Sequence, residues 1–363
     1  MKEVLIGALM VLAGTAACAE APAPGDVPQT TNTKVELREA GANLDATLTQ
    51  VVAEAKEAMW IGYEVEEVPT KEVGCCSESY GNNEQGTFWL EDEHGNGGGS
   101  GSRAQETKLE GGKWVMILFR AEKNQIEKIR IAPAMCRLDA GGLRLVWLKN
   151  ADARQSVAFL SELLKGKDFF GRGDHGLGEQ ALTAIALHAD SAADQALEGL
   201  TSPSQPEALR EKAAFWMGAT RGAEGFAGLQ KLARTDSNSN VRAQVCFALF
   251  VSHEPGAAAE IIRMAHEDTS AHVRGQALFW LAQRAGQKAE KTITGAIAND
   301  PDTEVKKKAV FALSQMPKDE GVPKLIEVAE TNKNPEVRKQ AMFWLGQSDD
   351  PRALAFIEKV LKE

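Results

Sequence analysis

The sequence predicts a small α+β domain with an antiparallel sheet, followed by an all-α solenoid of about six 32-residue helical hairpins. Two observations carry this. Residues 209 to 363 repeat every 32 positions without an insertion: LREKAAFWMG from Leu209, VRAQVCFALF from Val241, VRGQALFWLA from Val273, VKKKAVFALS from Val305 and VRKQAMFWLG from Val337. A fixed period of this length marks units that bury their apolar faces only by stacking on neighbours. Ahead of the repeat, short apolar runs alternate with turn residues, the pattern of strands.

In chain order, residues 1–19, MKEVLIGALMVLAGTAACA, combine a single Lys with an apolar run and end in Ala17-Cys18-Ala19. This fits a secretory signal with an A-x-A cleavage site, and the run is too short to span a membrane. Cys18 offers a second reading, a lipid anchor at a lipoprotein-type signal. Residues 20–34, EAPAPGDVPQTTNTK, have the Pro, Thr and Ala content of a disordered tether.

Residues 35–150 form the α+β domain. A helix is predicted over Leu44 to Met59, with Leu44, Leu48, Val51, Val52 and Ala55 on one face. Strand-like runs follow: WIGYEV from Trp60, TFWL from Thr87, WVMILF from Trp114, IEKIRIA from Ile126 and LRLVWL from Leu143. The glycine-rich stretch from His94 to Gln105 lacks the GK[ST] ending of a phosphate loop and reads as a plain loop. Export would place Cys75, Cys76 and Cys136 where disulfides persist. Adjacent cysteines bond to each other only under strain, so Cys75 or Cys76 is expected to pair with Cys136. The closed loop of about 60 residues would stabilise by roughly 3 to 4 kcal/mol. Cys246, at a repeat position otherwise held by Ala, Val, Leu or Met, reads as a small buried hydrophobe.

Residues 151–176 hold a capping helix, started by Asn150 or Asp152 and running through Leu164, with Val157 and Leu160 apolar. It would cover the open first face of the solenoid at 177–363. That array opens with a degenerate unit, LGEQALTAIA from Leu177, which keeps the Leu, Ala and Ile columns but lacks the Arg and Phe of later units. Within each unit the first helix sets its apolar columns at offsets 0, 4 and 8, as in Val273, Ala277 and Leu281. The second sets them at offsets 20, 23 and 24, as in Leu325, Val328 and Ala329. Both spacings are helical.

These columns resemble HEAT repeats, in particular the short form of phycobilisome-lyase-like proteins. The likeness rests on the Val-Arg opening, the Ala and Leu columns, and an Asp six residues before the Arg. That pair occurs as Asp236 with Arg242, Asp268 with Arg274 and Asp300 with Lys306, while Asn332 replaces the Asp before Arg338. The resemblance implies that these residues form an inter-repeat polar ladder. It also raises two enzyme classes. Deoxyhypusine hydroxylase, a HEAT-like protein, binds iron through His-Glu pairs in register on successive repeats. Here His253-Glu254 and His266-Glu267 occupy unlike positions of one unit, so no metal site is expected. Phycobilin lyases act on a substrate that an exported protein would not meet.

Offset 6 is Phe in five successive units: Phe215, Phe247, Phe279, Phe311 and Phe343. At about 100° per residue this column lies near 240°, well away from the core arc of roughly 0° to 80°. Its neighbours on the wheel are polar: Lys212, Gln244, Gln276, Lys308 and Gln340 on one side, Gln283, Gln315 and Gln347 on the other. Trp216, Trp280 and Trp344 follow at offset 7 in alternate units, with Ala248 and Ala312 between them. Two readings stay open. The rings fill the seams between stacked helices, large against small, or the Phe residues form a half-exposed stripe that a partner segment engages.

The net charge of −10 argues against general nucleic-acid binding. The acidity lies mainly in the first 150 residues, with 15 Lys plus Arg against 22 Asp plus Glu; the remainder carries 26 against 29. No catalytic constellation or cofactor motif is found. The expectation is an exported, non-catalytic scaffold that docks a protein of the cell envelope. The alternatives are a lyase-like HEAT protein handling a metal or chromophore, and a surface-ligand binder acting through the N-terminal domain.

Overall fold

The computed structural model describes residues 27–69, 87–91, 113–165, 176–284 and 287–362. The chain divides into two compact units, residues 1–152 and 153–363.

The first unit contains, in order, β1 (Thr30–Thr31), β2 (Lys34–Glu39), α1 (Leu44–Glu54), β3 (Met59–Glu66), β4 (Thr87–Trp89), β5 (Trp114–Glu122), β6 (Gln125–Pro133), β7 (Arg137–Asp139) and β8 (Arg144–Lys149). Five strands form the main sheet in the order β2-β8-β3-β5-β6, and β1-β7-β4 form a smaller one. The main sheet is mixed rather than antiparallel. The β3-β5 and β5-β6 pairs are antiparallel, but β8 lies between β2 and β3 and parallel to both. The cause is α1: strands joined through a helix run in the same direction, and β8 is inserted between them. The β5-β6 hairpin is closed by Lys123 and Asn124, both at positive φ (51° and 63°), as a primed two-residue turn demands.

Asn43 caps α1, accepting the Ala46 N–H at 3.0 Å. The helix stops at Glu54 rather than at Met59. Asn124 bonds the carbonyls of Ala53 and Ala55, and Met59 is drawn into β3 opposite Ala121. The expected tether also ends early, because Thr30 and Thr31 pair with Leu138 and Asp139. Trp60, Tyr63, Phe119 and Trp147 are buried at the centre of the unit. Trp60 donates its indole N–H to Glu91 Oε1 at 2.7 Å, and Arg120 bonds the same carboxylate at 3.2 Å, so that both donors have a partner. Cys136 is fully buried in this core; Cys75 and Cys76 lie outside the described residues.

The second unit begins with α2 (Ala153–Leu163) and continues as six helix pairs: α3 (Leu177–Leu187) with α4 (Ala192–Leu200), α5 (Glu207–Thr220) with α6 (Gly222–Thr235), α7 (Ser239–Val251) with α8 (Ala257–Glu267), α9 (Ala271–Arg284) with α10 (Gln287–Asn299), α11 (Thr303–Ser314) with α12 (Lys318–Thr331), and α13 (Pro335–Gly346) with α14 (Pro351–Lys362). The first helices of successive pairs, α5, α7, α9, α11 and α13, stack closely, whereas the second helices stand farther apart. Close approach is built in: a methyl group at Gly218 of α5 would collide with the Ala248 carbonyl of α7. Tight packing of one layer and splaying of the other curve the array toward the first helices.

α2 covers the open side of α3 and α4. Val157 and Leu160 are buried there, and so is a polar latch. His188 Nδ1 lies 2.7 Å from the Ala184 carbonyl, which can only accept, so Nδ1 carries the proton. Nε2 of the neutral ring then accepts from the Ser156 hydroxyl at 2.8 Å. Burial chiefly, with Arg221 adding, pulls the His188 pKa down to about 4; the Ala184 bond and Asp190 oppose the shift.

Candidate interaction surface

The site is built from the first helices, and their starts are fixed by polar caps. Asn238, Asp302 and Asn334 accept the N–H groups of Asn240, Glu304 and Glu336. Two residues earlier, Asp236, Asp268, Asp300 and Asn332 each accept the N–H two residues on, at 2.8 to 2.9 Å.

The carboxylates of three of these turns bind the ladder arginines, in a register the spacing did not reveal. Arg242 donates to the backbone carbonyl of Asp236, six residues before it, at 2.8 Å. Its carboxylate partner is Asp268, 26 residues ahead, held bidentately at 2.8 and 2.9 Å. Arg274 repeats this with the Asp268 carbonyl at 2.9 Å and the Asp300 carboxylate at 2.7 and 3.0 Å. Arg210, which the motif had not included, pairs with Asp236 at 3.0 Å. Each guanidinium thus ties one turn of the array to the next.

Burial opposes ionisation of Asp268 and Asp300, but the arginine bonds and turn N–H groups outweigh it and hold both carboxyls below their usual range. The ladder stops after Arg274. Lys306 donates instead to the Ala298 carbonyl at 3.0 Å, and Arg338 bonds the Asn332 carbonyl at 2.8 Å. The substitution of Asn332 for Asp removes the carboxylate that position 306 would bind, while Arg338 keeps its carbonyl partner.

The Phe and Trp columns meet as one path of rings along the first helices. Phe215 stacks on Phe247 (centroids 5.7 Å apart, 17° between planes), Phe247 meets Trp280 at 4.7 Å, and Phe279 stacks on Phe311 (5.8 Å, 6°). Phe311 then meets Trp344 at 4.9 Å, and Trp344 turns its edge to Phe343 at 5.0 Å. Trp216 joins the start of the path through Phe215 at 5.2 Å. Phe250, absent from the sequence reading because it stands at offset 9, flanks Trp280 at 4.9 Å, and the Arg284 guanidinium lies 5.8 Å from its ring centroid. The rings pack across the seams, and the Phe and Trp columns are only half-buried, with Phe343 54% exposed.

The two His-Glu pairs are not brought together. His253 lies in the turn before α8 and His266 near its end, both exposed. Among the described residues no group of three or more His, Cys, Asp or Glu side chains converges on a point that could hold a metal ion. Cys246 is fully buried beside Met264, and desolvation pushes its thiol well above the usual range.

Residues 258–343 and 290–363 match the family model for HEAT repeats. No curated protein matches the chain. Among solved structures, human deoxyhypusine hydroxylase in complex with glycerol is similar at 15% identity over 57% of this chain and 90% of that one, with a TM-score of 0.25. Kap121p is similar at 15% identity over 53% of this chain, with a TM-score of 0.35, and the match spans 25% of Kap121p. At these values neither likeness transfers a property. Among the described residues no helix is long and apolar enough to cross a membrane.

Proposed function

We propose that this HEAT-repeat protein is an exported, non-catalytic scaffold that docks a polypeptide of the cell envelope along the aromatic path of its first helices. The observation that carries the reading is the continuity of that path: half-exposed rings run without a gap from Phe215 to Phe343 on the inner side of the curved array. Solenoids use such curved faces to bind extended partners, and aromatic anchors with polar surroundings supply most of the energy of an interface. The amides of Gln244, Gln276 and Gln340 stand beside the rings in sequence register, ready to bond a partner backbone. Export rests on the leader-like residues 1–19, and in that setting one of Cys75 and Cys76 pairs with Cys136.

The test is quantitative capture from an envelope extract with the wild type and a Phe247→Leu, Phe279→Leu, Phe311→Leu variant. Leucine keeps the seam filled and removes the flat ring, so the variant should melt close to the wild type. A partner held by the wild type and lost by the folded variant supports the reading. Equal retention by both removes the aromatic path from it. The mass of the mature N terminus distinguishes cleavage at residue 19 from lipidation at Cys18.

A further inference from the structure

The seams of the array are filled from a few positions on the side facing the next unit. Offset 6 supplies the stacked rings, Phe215 on Phe247 and Phe279 on Phe311. In the α5–α7 seam offset 9 gives close approach, where Gly218 meets the Ala248 carbonyl. In the α6–α8 seam offset 17 supplies a knob: Phe226 lies so near Gly256 of the next unit that a Cβ there would be 2.7 Å from the ring. At offset 24 Ala233, Ala265 and Ile297 are buried.

Among the described residues, nothing packs on the corresponding face of the α13–α14 pair. Its residues at those offsets are Phe343, Gly346, Leu354 and Leu361. Phe343 is 54% exposed, Leu354 59% and Leu361 81%, and nothing lies within 4 Å of a Cβ placed on Gly346. An uncovered repeat face ordinarily carries polar residues, and clustered exposed apolar side chains mark an association surface.

We propose that the α13–α14 face binds the same face of a second copy of this chain about a two-fold axis. The occupant follows from continuity with the seams already formed and from the state of the opposite end. There α2 covers α3 and α4, so a second copy has no free repeat face of that kind to offer, and head-to-tail stacking is closed. What it can offer is its own α13–α14 surface. That surface is self-complementary, as an isologous contact requires. Phe343 and Gly346 lie one turn apart on α13, so antiparallel pairing seats each ring over the glycine of the other copy, as Phe226 sits against Gly256 within one chain. The flanking charges alternate in sign, Glu336 with Lys339 and Glu358 with Lys359 and Lys362, so the pairing stacks no uniform charge.

Sedimentation equilibrium of the purified chain between about 1 and 100 µM, a range that brackets micromolar affinities, tests this beside a Leu354→Glu, Leu361→Glu variant. Both leucines lie outside the aromatic path proposed for partner docking, so the two readings fail separately. The wild type should double its mass with concentration. The variant should stay at one copy with an unchanged thermal midpoint. A wild type that stays at one copy throughout, a mass that climbs past two copies, or a variant that dimerises as the wild type does would each overturn the proposal. If the double variant unfolds, Gly346→Leu, which fills the hollow, should be monomeric instead; dimerisation of that variant at wild-type strength overturns it equally.

Discussion

The two ends of the helical array treat the same problem differently. At the first end α2 lies across α3 and α4, burying Leu160 and locking Ser156 to His188, and the seams that follow carry the Arg-Asp ladder. At the other end the ladder has lapsed at Lys306 and Asn332, and Phe343, Leu354 and Leu361 stand exposed. The contrast teaches that the repeat motif itself specifies stacking chemistry and not closure. Closure is supplied by something outside the motif, a non-repeat helix at one end and a second molecule, as inferred above, at the other.

The contrast can be broken most forcefully at the ladder. Arg274→Ala would leave Asp300 buried without its cation and should destabilise the second unit by about 3 to 5 kcal/mol. Lys306→Ala, at the lapsed position, should cost under about 1 kcal/mol; equal losses in chemical denaturation would show that the ladder does not distinguish the seams. Truncating the cap comes next: Leu160→Ala should cost about 2 to 5 kcal/mol, the range for a fully buried leucine.

The latch gives a pH-dependent effect of about 3 kcal/mol. His188 is neutral in the folded protein, with its pKa lowered to about 4 from 6.5. The unfolded chain therefore binds the proton first as pH falls. Stability contributed by the neutral ring is full above pH 6.5 and is lost progressively down to about pH 4. Denaturation midpoints measured from pH 7.5 to 4 should fall more for the wild type than for His188→Asn, which cannot titrate; parallel curves would exclude the latch as their cause. The smallest effect belongs to the open end. Leu361→Ala in dilute protein should change stability by no more than about 0.5 kcal/mol, and a loss on the scale of Leu160→Ala would mean that this end is covered too.

Much of the second unit was legible because its signal is periodic. The 32-residue register placed the first helices and singled out the ladder and aromatic columns. Spacing alone did not tell Arg242 which carboxylate to bind. Asp236 is nearer in sequence, but stacking brings the Asp268 side chain to the guanidinium and leaves Asp236 its backbone carbonyl. Ser156 and His188 were missed for the opposite reason: they occur once, in the cap and the degenerate unit, so no column pointed to them. The uncovered end was readable in principle, since Phe343, Gly346, Leu354 and Leu361 stay apolar or small where an end cap would be polar. In the first unit the alternating runs located most strands but not their directions, because β8 inserts between β2 and β3 only through long-range pairing.

The lapse of the ladder between α11 and α13 also has a mechanical meaning. A chain pulled from its C terminus loads the seams in order, and the first one met has no bidentate salt bridge across it. The α13–α14 hairpin should therefore peel away at the lowest force, releasing about 95 Å of extended chain for its 28 residues, while the Arg274–Asp300 seam behind it holds. Asn332 makes the final hairpin a fuse, one that yields under tension before the rest of the array is strained.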